Sequence, residues 1–169
     1  MEEEATMKMS EGVEWALHCL LVIAALPVGA ALSAKALAEF HGVSEPYLSK
    51  HLKALAKAGV LVSSPGPKGG YRLGREPEDI TLLEAVLAVE GGQPAFRCSE
   101  IRQRGPAALG PSAYRAPCLI HVTMSEAENA WRESLASVTI SQLAERLQAT
   151  IDPRSVRRMK SWLAENQRD

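Results

Sequence analysis

Cys98 and Cys118 bracket a stretch, 92–118, that is rich in Gly, Pro and polar residues and shows no apolar periodicity. So long a structureless segment in a compact chain is either functional or disordered, and a ligand bridging its ends accounts for both thiols. Glu14 and His18 stand four positions apart, a spacing that places two side chains on one helix face about 6 Å apart at Cβ. By itself such a pair is an ordinary polar helix face. With the two thiols it completes four donors of mixed soft and hard character, which a 2Fe-2S cluster accepts. The spacing does not choose the metal: no C-x-x-C occurs, and the same four side chains suit zinc. Cys19 adjoins His18 but lies about 100° around the helix axis, within an apolar run, and is read as a core residue.

A second set of residues suits nucleic acid. Between Ser44 and Arg75 there are six bases (Lys50, Lys53, Lys57, Lys68, Arg72, Arg75) and one acid, Glu45, whereas residues 1–43 hold two bases and six acids. With a formal net charge of -1, the chain has no overall basic coat, so any DNA-binding surface is local. Ser44, Glu45, Tyr47 and Ser49 head the most basic helix and point toward base edges if that helix lies in a major groove. Glu45 there accepts from cytosine N4, or simply complements the helix dipole. Lys50, Lys53, Lys68 and Arg72 are placed to neutralise phosphates, and Gly69 lets a wing backbone approach the sugar-phosphate chain.

The elements that position these groups follow from periodicity and punctuation. A first helix runs from Met9 to Leu26, with Ser10 as its cap and Pro27 to Gly29 as its stop. A second, from Ser33 to Phe40, ends at His41-Gly42. A third is capped by Ser44, has Pro46 in its first turn and carries the stripe Leu48, Leu52, Leu55 up to Ala58-Gly59. Two short helices joined by a glycine turn form a helix-turn-helix. VLVSS, the turn PGPKGG and YRL then form a hairpin, the wing. Thr81 and Glu84 make a capping box for LLEAVLAVE. After the loop, a long helix is expected from Leu119 to about Val138, a further one from the cap Thr139, and a last one from Asp152-Pro153 to about Leu163. The expected class is mainly α: a winged helix-turn-helix with a two-stranded β wing and a long C-terminal dimerisation helix. The expected divisions are a disordered extension 1–6, a DNA-binding domain 7–91, a cluster-binding loop 92–118 and a dimerisation and C-terminal region 119–169.

Three cysteines, an odd number at irregular spacing, argue against a secreted disulfide framework and for thiols kept reduced in the cytoplasm. The apolar run after Cys19 is preceded by the acidic MEEEAT, and Pro27 and Gly29 break it before the roughly 20 residues that cross a bilayer. No membrane is expected. No nucleophile with a base, no phosphate-cradling glycine loop and no carboxylate pair emerges, so the chain is read as a non-enzyme, with His51 and His121 left to packing or surface.

MKMSEGVEWALHCL, VSEPYLSKHLKALAKAGVLVSSPGPKGGYRL and EDITLLEAVLAVEGG resemble the winged-helix regulators of the IscR, NsrR and RsrR type, over about residues 7–140. EWALHC, PAFRCSEIRQRGP and the later Cys118 look most like the RsrR branch of redox sensors. The resemblance implies a homodimer whose long helix, about Leu119 to Val138, crosses to the partner; with the basic helix and wing, this is read as a transcription factor, a repressor of a roughly palindromic operator. It also implies a 2Fe-2S cluster held by Glu14 and His18 of one subunit with Cys98 and Cys118 of the other. It further assigns Trp15 and His41 to coupling between cluster state and DNA affinity. IscR-like members carry three closely spaced cysteines in this loop where the chain has two well-separated ones, which favours the RsrR-like ligand set. The alternative is a zinc-stabilised winged helix that serves as a structural or protein-interaction module.

Overall fold

The computed structural model describes residues 9–168; the expected extension 1–6 lies outside them. Helix α1, Glu11–Ala24, buries Val13, Ala16, Cys19, Leu20 and Ile23 along one side, the i, i+3, i+4 stripe of a core-facing helix. Ser10 holds the N-cap position without a side-chain cap bond. Its N–H and hydroxyl both donate to Glu90 instead, so the expected cap is replaced by a tie to the end of another helix. Helix α2, Ala34–His41, is capped by the Ser33 hydroxyl, which accepts from the Ala36 N–H, and stops at Gly42 with φ of 65°. Helix α3, Glu45–Lys57, follows with Leu48, Leu52 and Leu55 fully buried. Ser44 stands at its N-cap position but makes no side-chain cap bond, another departure from expectation.

Strands β1, Leu61–Ser64, and β2, Gly70–Leu73, pair antiparallel with Leu61 opposite Leu73 and Ser64 opposite Gly70. The wing sheet is extended by single bridges from Leu32 to Tyr71 and from Ala31 to Arg168. Helix α4, Leu82–Glu90, begins with the expected Thr81–Glu84 capping box. The segment 92–118 contains two short 3-10 turns, Ile101–Gln103 and Pro111–Ala113. Helix α5, Leu119–Ala136, has no buried residue along its 18 positions, and Leu119, Ile120 and Met124 are exposed. It packs against α4 but adds no residue to the buried core.

Helices α6, Ile140–Gln148, and α7, Pro153–Asn166, return to it. Thr139 and Gln142 form a second capping box, and Asp152 accepts from the Arg154 N–H. The Leu82 N–H donates to Val138 and the Ile140 N–H to Ile80, which fixes the turn into α6 against α4. Ile140 and Leu163 are buried in the same cluster as Leu20, Leu37, Leu52 and Leu61. The helix-turn-helix therefore shares one core with the C-terminal helices, and the division expected at 118/119 separates only α5 from it. The observed architecture is the expected mainly helical winged helix-turn-helix. No helix among the described residues is long and apolar enough to cross a membrane.

Candidate functional site

Cys118 is the residue from which α5 starts, so the unpaired amides of the first turn face its sulfur. No amide makes a full cap bond to the sulfur, but the nearby His121 N–H foremost, then the Ile120 N–H, the Cys98 thiol and the Arg102 guanidinium, hold the Cys118 thiol below its ordinary value, against the effect of desolvation. A low thiol value means more thiolate, the form that binds metals. The two half-buried cysteines are thus neighbours, and the Glu100 N–H donates to Cys98 Sγ at 3.4 Å.

The loop that joins them is built around Arg102. Its guanidinium meets Glu100 at 2.7 Å and donates to the Ala116 carbonyl at 2.7 Å. Tyr114 lies beneath it, the guanidinium 5.3 Å from the ring centre, and donates from its hydroxyl to the Arg102 carbonyl at 2.9 Å. The Arg102 side chain keeps the Glu100 carboxyl below the usual carboxylate range. Sequence reasoning passed over Arg102 and Tyr114; three arginines, Arg102, Arg104 and Arg115, lie between the two cysteines, and nothing in their spacing singles out Arg102.

Glu14 and His18 are exposed on the outer side of α1. The His18 ring lies 5.8 Å from that of His41 at the end of α2. Burial, and then the proximity of His18, lowers the His41 value, and its Nε2 is buried without a hydrogen-bond partner. Among the described residues, no group of three or more His, Cys, Asp or Glu converges. In one chain the four expected donors therefore form two separate pairs, Glu14/His18 and Cys98/Cys118.

Trp15 connects the first pair to the helix-turn-helix. Its ring meets Tyr47 of α3 edge-on at 5.0 Å, and Tyr47 meets His51 at 4.9 Å. His51 is 4% exposed and covers Gly12 of α1, a helix-packing role as expected.

On the candidate DNA face, Ser44, Glu45, Tyr47, Lys50, Lys53, Lys68 and Arg72 are exposed and Ser49 is half-buried. Arg75, counted with the basic patch, is engaged: it contacts Glu84 at 2.6 Å and donates to the Asp79 carbonyl at 3.0 Å. Gly69 is a correction. It is buried, a Cβ there would sit 2.6 Å from the Pro65 carbonyl atoms, and its own carbonyl accepts from Arg168 at 2.7 Å. Its lack of a side chain serves the closure of the wing, and it offers no exposed backbone to a DNA strand.

A family model described as Rrf2, iron-dependent transcriptional regulator, matches residues 9–146. The chain is 35% identical over 142 residues to the YffB protein of Lactococcus lactis, covering 84% of this chain and 90% of that one. It is 28% identical over 137 residues to the HTH-type transcriptional regulator NsrR of Shouchella clausii, covering 81% and 88%. Among solved structures it is similar to CymR, the global cysteine regulator of B. subtilis, with a TM-score of 0.62 and 26% identity over 83% of this chain and 98% of that one.

Proposed function

Since the chain belongs to the Rrf2 family of transcriptional regulators, and so is a DNA-binding regulator rather than an enzyme, we propose that it is a cytoplasmic homodimeric repressor whose affinity for a roughly palindromic operator follows the state of a 2Fe-2S cluster. The observation that carries this reading is the thiol pair Cys98 and Cys118 at the start of α5, the helix that leaves the core with no buried residue. The donor chemistry fits. Cys98 and Cys118 would hold one side of the cluster, with Glu14 and His18 of the partner subunit on the other, since the two donor pairs do not meet within one chain. A 2Fe-2S cluster supplies a one-electron change of charge.

The chain's own residues position the rest. The amides of Ile120 and His121, with Arg102, hold Cys118 toward the thiolate. Trp15 follows Glu14 and touches Tyr47, so the residue adjoining the donor Glu14 is in contact with the N-terminal half of α3. His41, beside His18, stands at the turn that sets the angle of α3. Trp15 and His41 are therefore the positioning residues of the switch, the contiguous side chains that a two-state element requires.

Anaerobically purified protein should absorb in the visible and contain iron and acid-labile sulfide; a colourless zinc protein would refute the cluster reading. Cys98→Ala and Cys118→Ala should each abolish stable cluster binding. Trp15→Phe and His41→Ala proteins with intact clusters should lose the difference in DNA affinity between oxidised and reduced forms, and retention of the wild-type ratio in both would refute the coupling.

A further inference from the structure

Helix α7 lies beyond the stretch matched by the family model, which ends at residue 146. It is amphipathic. Val156, Met159 and Trp162 are half-buried and Leu163 is in the core, a stripe at i, i+3 and i+6 or i+7. The Trp162 ring packs on Phe40, next to His41 at the C-terminal end of α2, at 4.7 Å. Past the helix, Arg168 exchanges two backbone hydrogen bonds of 2.9 Å with Ala31, just ahead of α2, and its guanidinium holds the wing at Gly69. Helix α7 thus runs antiparallel to α2, and its N-terminal half continues past the turn that leads into α3. At 1.5 Å per residue, Arg157 and Arg158 stand about 6 to 8 Å beyond Trp162 along the axis.

The outer face of that half is basic. Residues 153–168 hold five bases and one acid, Glu165. Together with 44–75 they contain eleven of the nineteen bases but two of the twenty acids, so these two segments carry a strong local excess of positive charge in a nearly neutral chain. Arg154 is paired with Asp152 at 2.6 Å. Arg157, Arg158 and Lys160 are exposed and make no ion pair among the described residues. A helix-turn-helix sets its first helix across the phosphate backbone while its second enters the groove, so charge placed alongside α2 and beyond its turn meets phosphates outside the base pairs that α3 reads.

We propose that the outer face of α7, through Arg157, Arg158 and Lys160, is a second phosphate-binding surface that extends the protein's contact onto DNA flanking the operator. The inference rests on the DNA-binding reading above. It assigns α7 two roles: its inner stripe and Arg168 fix the wing against α2, and its outer charges add affinity without sequence preference.

The test uses a duplex recovered by full-length protein from a random-sequence pool, prepared at its protected core length and with flanks of about one helical turn. Wild type should bind the flanked duplex more tightly than the core duplex. The triple variant Arg157→Gln, Arg158→Gln, Lys160→Gln should bind the core duplex as wild type does and gain nothing from the flanks. Each phosphate contact contributes about 0.9 to the slope of log affinity against log salt. Three contacts from one protomer therefore amount to about a 40-fold smaller loss for the variant between 50 and 200 mM salt. Arg157→Lys with Arg158→Lys should keep the flank effect, because a phosphate contact needs only the charge. A triple variant that retains the wild-type gain from flanks, or that loses as much on the core duplex as on the flanked one, overturns the inference while leaving DNA binding intact. Wild type that recovers no preferred duplex overturns the DNA reading itself.

Discussion

Gly12→Ala probes the contact between α1 and α3 most sharply. Alanine is the better helix former by at most about 1 kcal/mol, and by less in the first turn, where Gly12 lies. Against this, the new Cβ would stand 2.6 Å from Nε2 and 2.7 Å from Nδ1 of His51, well inside van der Waals contact. The ring has little room to move: it is 4% exposed and held edge-on by Tyr47 at 4.9 Å, with Trp15 at 6.5 Å. Overpacking of this kind costs about 1–3 kcal/mol, and a clash with a whole ring edge belongs in the upper half of that range. The net expectation is a loss of about 1–2 kcal/mol, which at a urea m-value near 2 kcal/mol/M lowers the midpoint by roughly 0.5–1 M. The perturbation reaches Tyr47, so DNA affinity should fall as well. His51→Ala in the Gly12→Ala background removes the clashing ring. A double-mutant cycle on urea midpoints should therefore show a favourable coupling of about 1 kcal/mol or more. A Gly12→Ala protein with an unchanged or higher midpoint would refute the reasoning.

His51 also makes stability depend on pH. Burial, then Lys50, lowers its value from 6.5, with Glu90 opposing. The unfolded chain therefore binds the extra proton first, and stability is complete above about pH 6.5 and declines as pH falls toward the lowered folded value. His51→Asn should flatten the decline in urea midpoint between pH 7 and 5, and an identical decline would contradict the assignment. In cluster-free protein carrying Cys98→Ser, Arg102→Gln should move the alkylation profile of Cys118 to higher pH, because the guanidinium favours the thiolate; an unmoved profile would remove Arg102 from the site. Lys50→Ala and Lys68→Ala should each lower the salt slope of DNA binding by about 0.9 per protomer. Arg75→Ala should leave the slope almost unchanged, since that charge already serves Glu84; a drop as large as that of Lys68→Ala would place Arg75 on DNA.

The helices and the wing were legible because their signals are local. Apolar stripes, glycine stops, the Thr81 box and the Thr139 cap each lie within one turn of the element they define. What the sequence misplaced depends on residues far away along the chain. Ser10 resembles a cap, yet its hydroxyl and N–H serve Glu90, 80 positions later. Gly69 reads as a turn glycine open to a ligand, but Arg168, 99 positions away, covers its carbonyl. Arg75 counts as a free base until α4 brings Glu84 to it. The return of α6 and α7 to the core was illegible for the same reason, since no periodicity within Ile140 or Leu163's own helix says which partner its stripe will meet. The four candidate donors were found by type and spacing, and their division into two pairs became visible only in three dimensions.

That division decides which thiols can serve. Cys19 is next to His18 in sequence and, on distance along the chain alone, would be the nearest sulfur to the Glu14/His18 pair. It is fully buried, and burial pushes its thiol up to about 12, so forming its thiolate at neutral pH carries a large penalty with no amide or arginine to offset it. Cys118 has the opposite environment: half-buried, at a helix start, with amides, a second thiol and Arg102 all favouring the anion. A shift in either direction is a difference in free energy between thiol and thiolate, and the two shifts here have opposite signs. Helix α1 can therefore offer Glu14 and His18 outward while keeping its own sulfur in the core, so in the proposed cluster site the sulfur donors would be Cys98 and Cys118 of the loop that ends at α5. In that proposal the loop would come from a second protomer, because the Glu14/His18 and Cys98/Cys118 pairs do not meet within one chain.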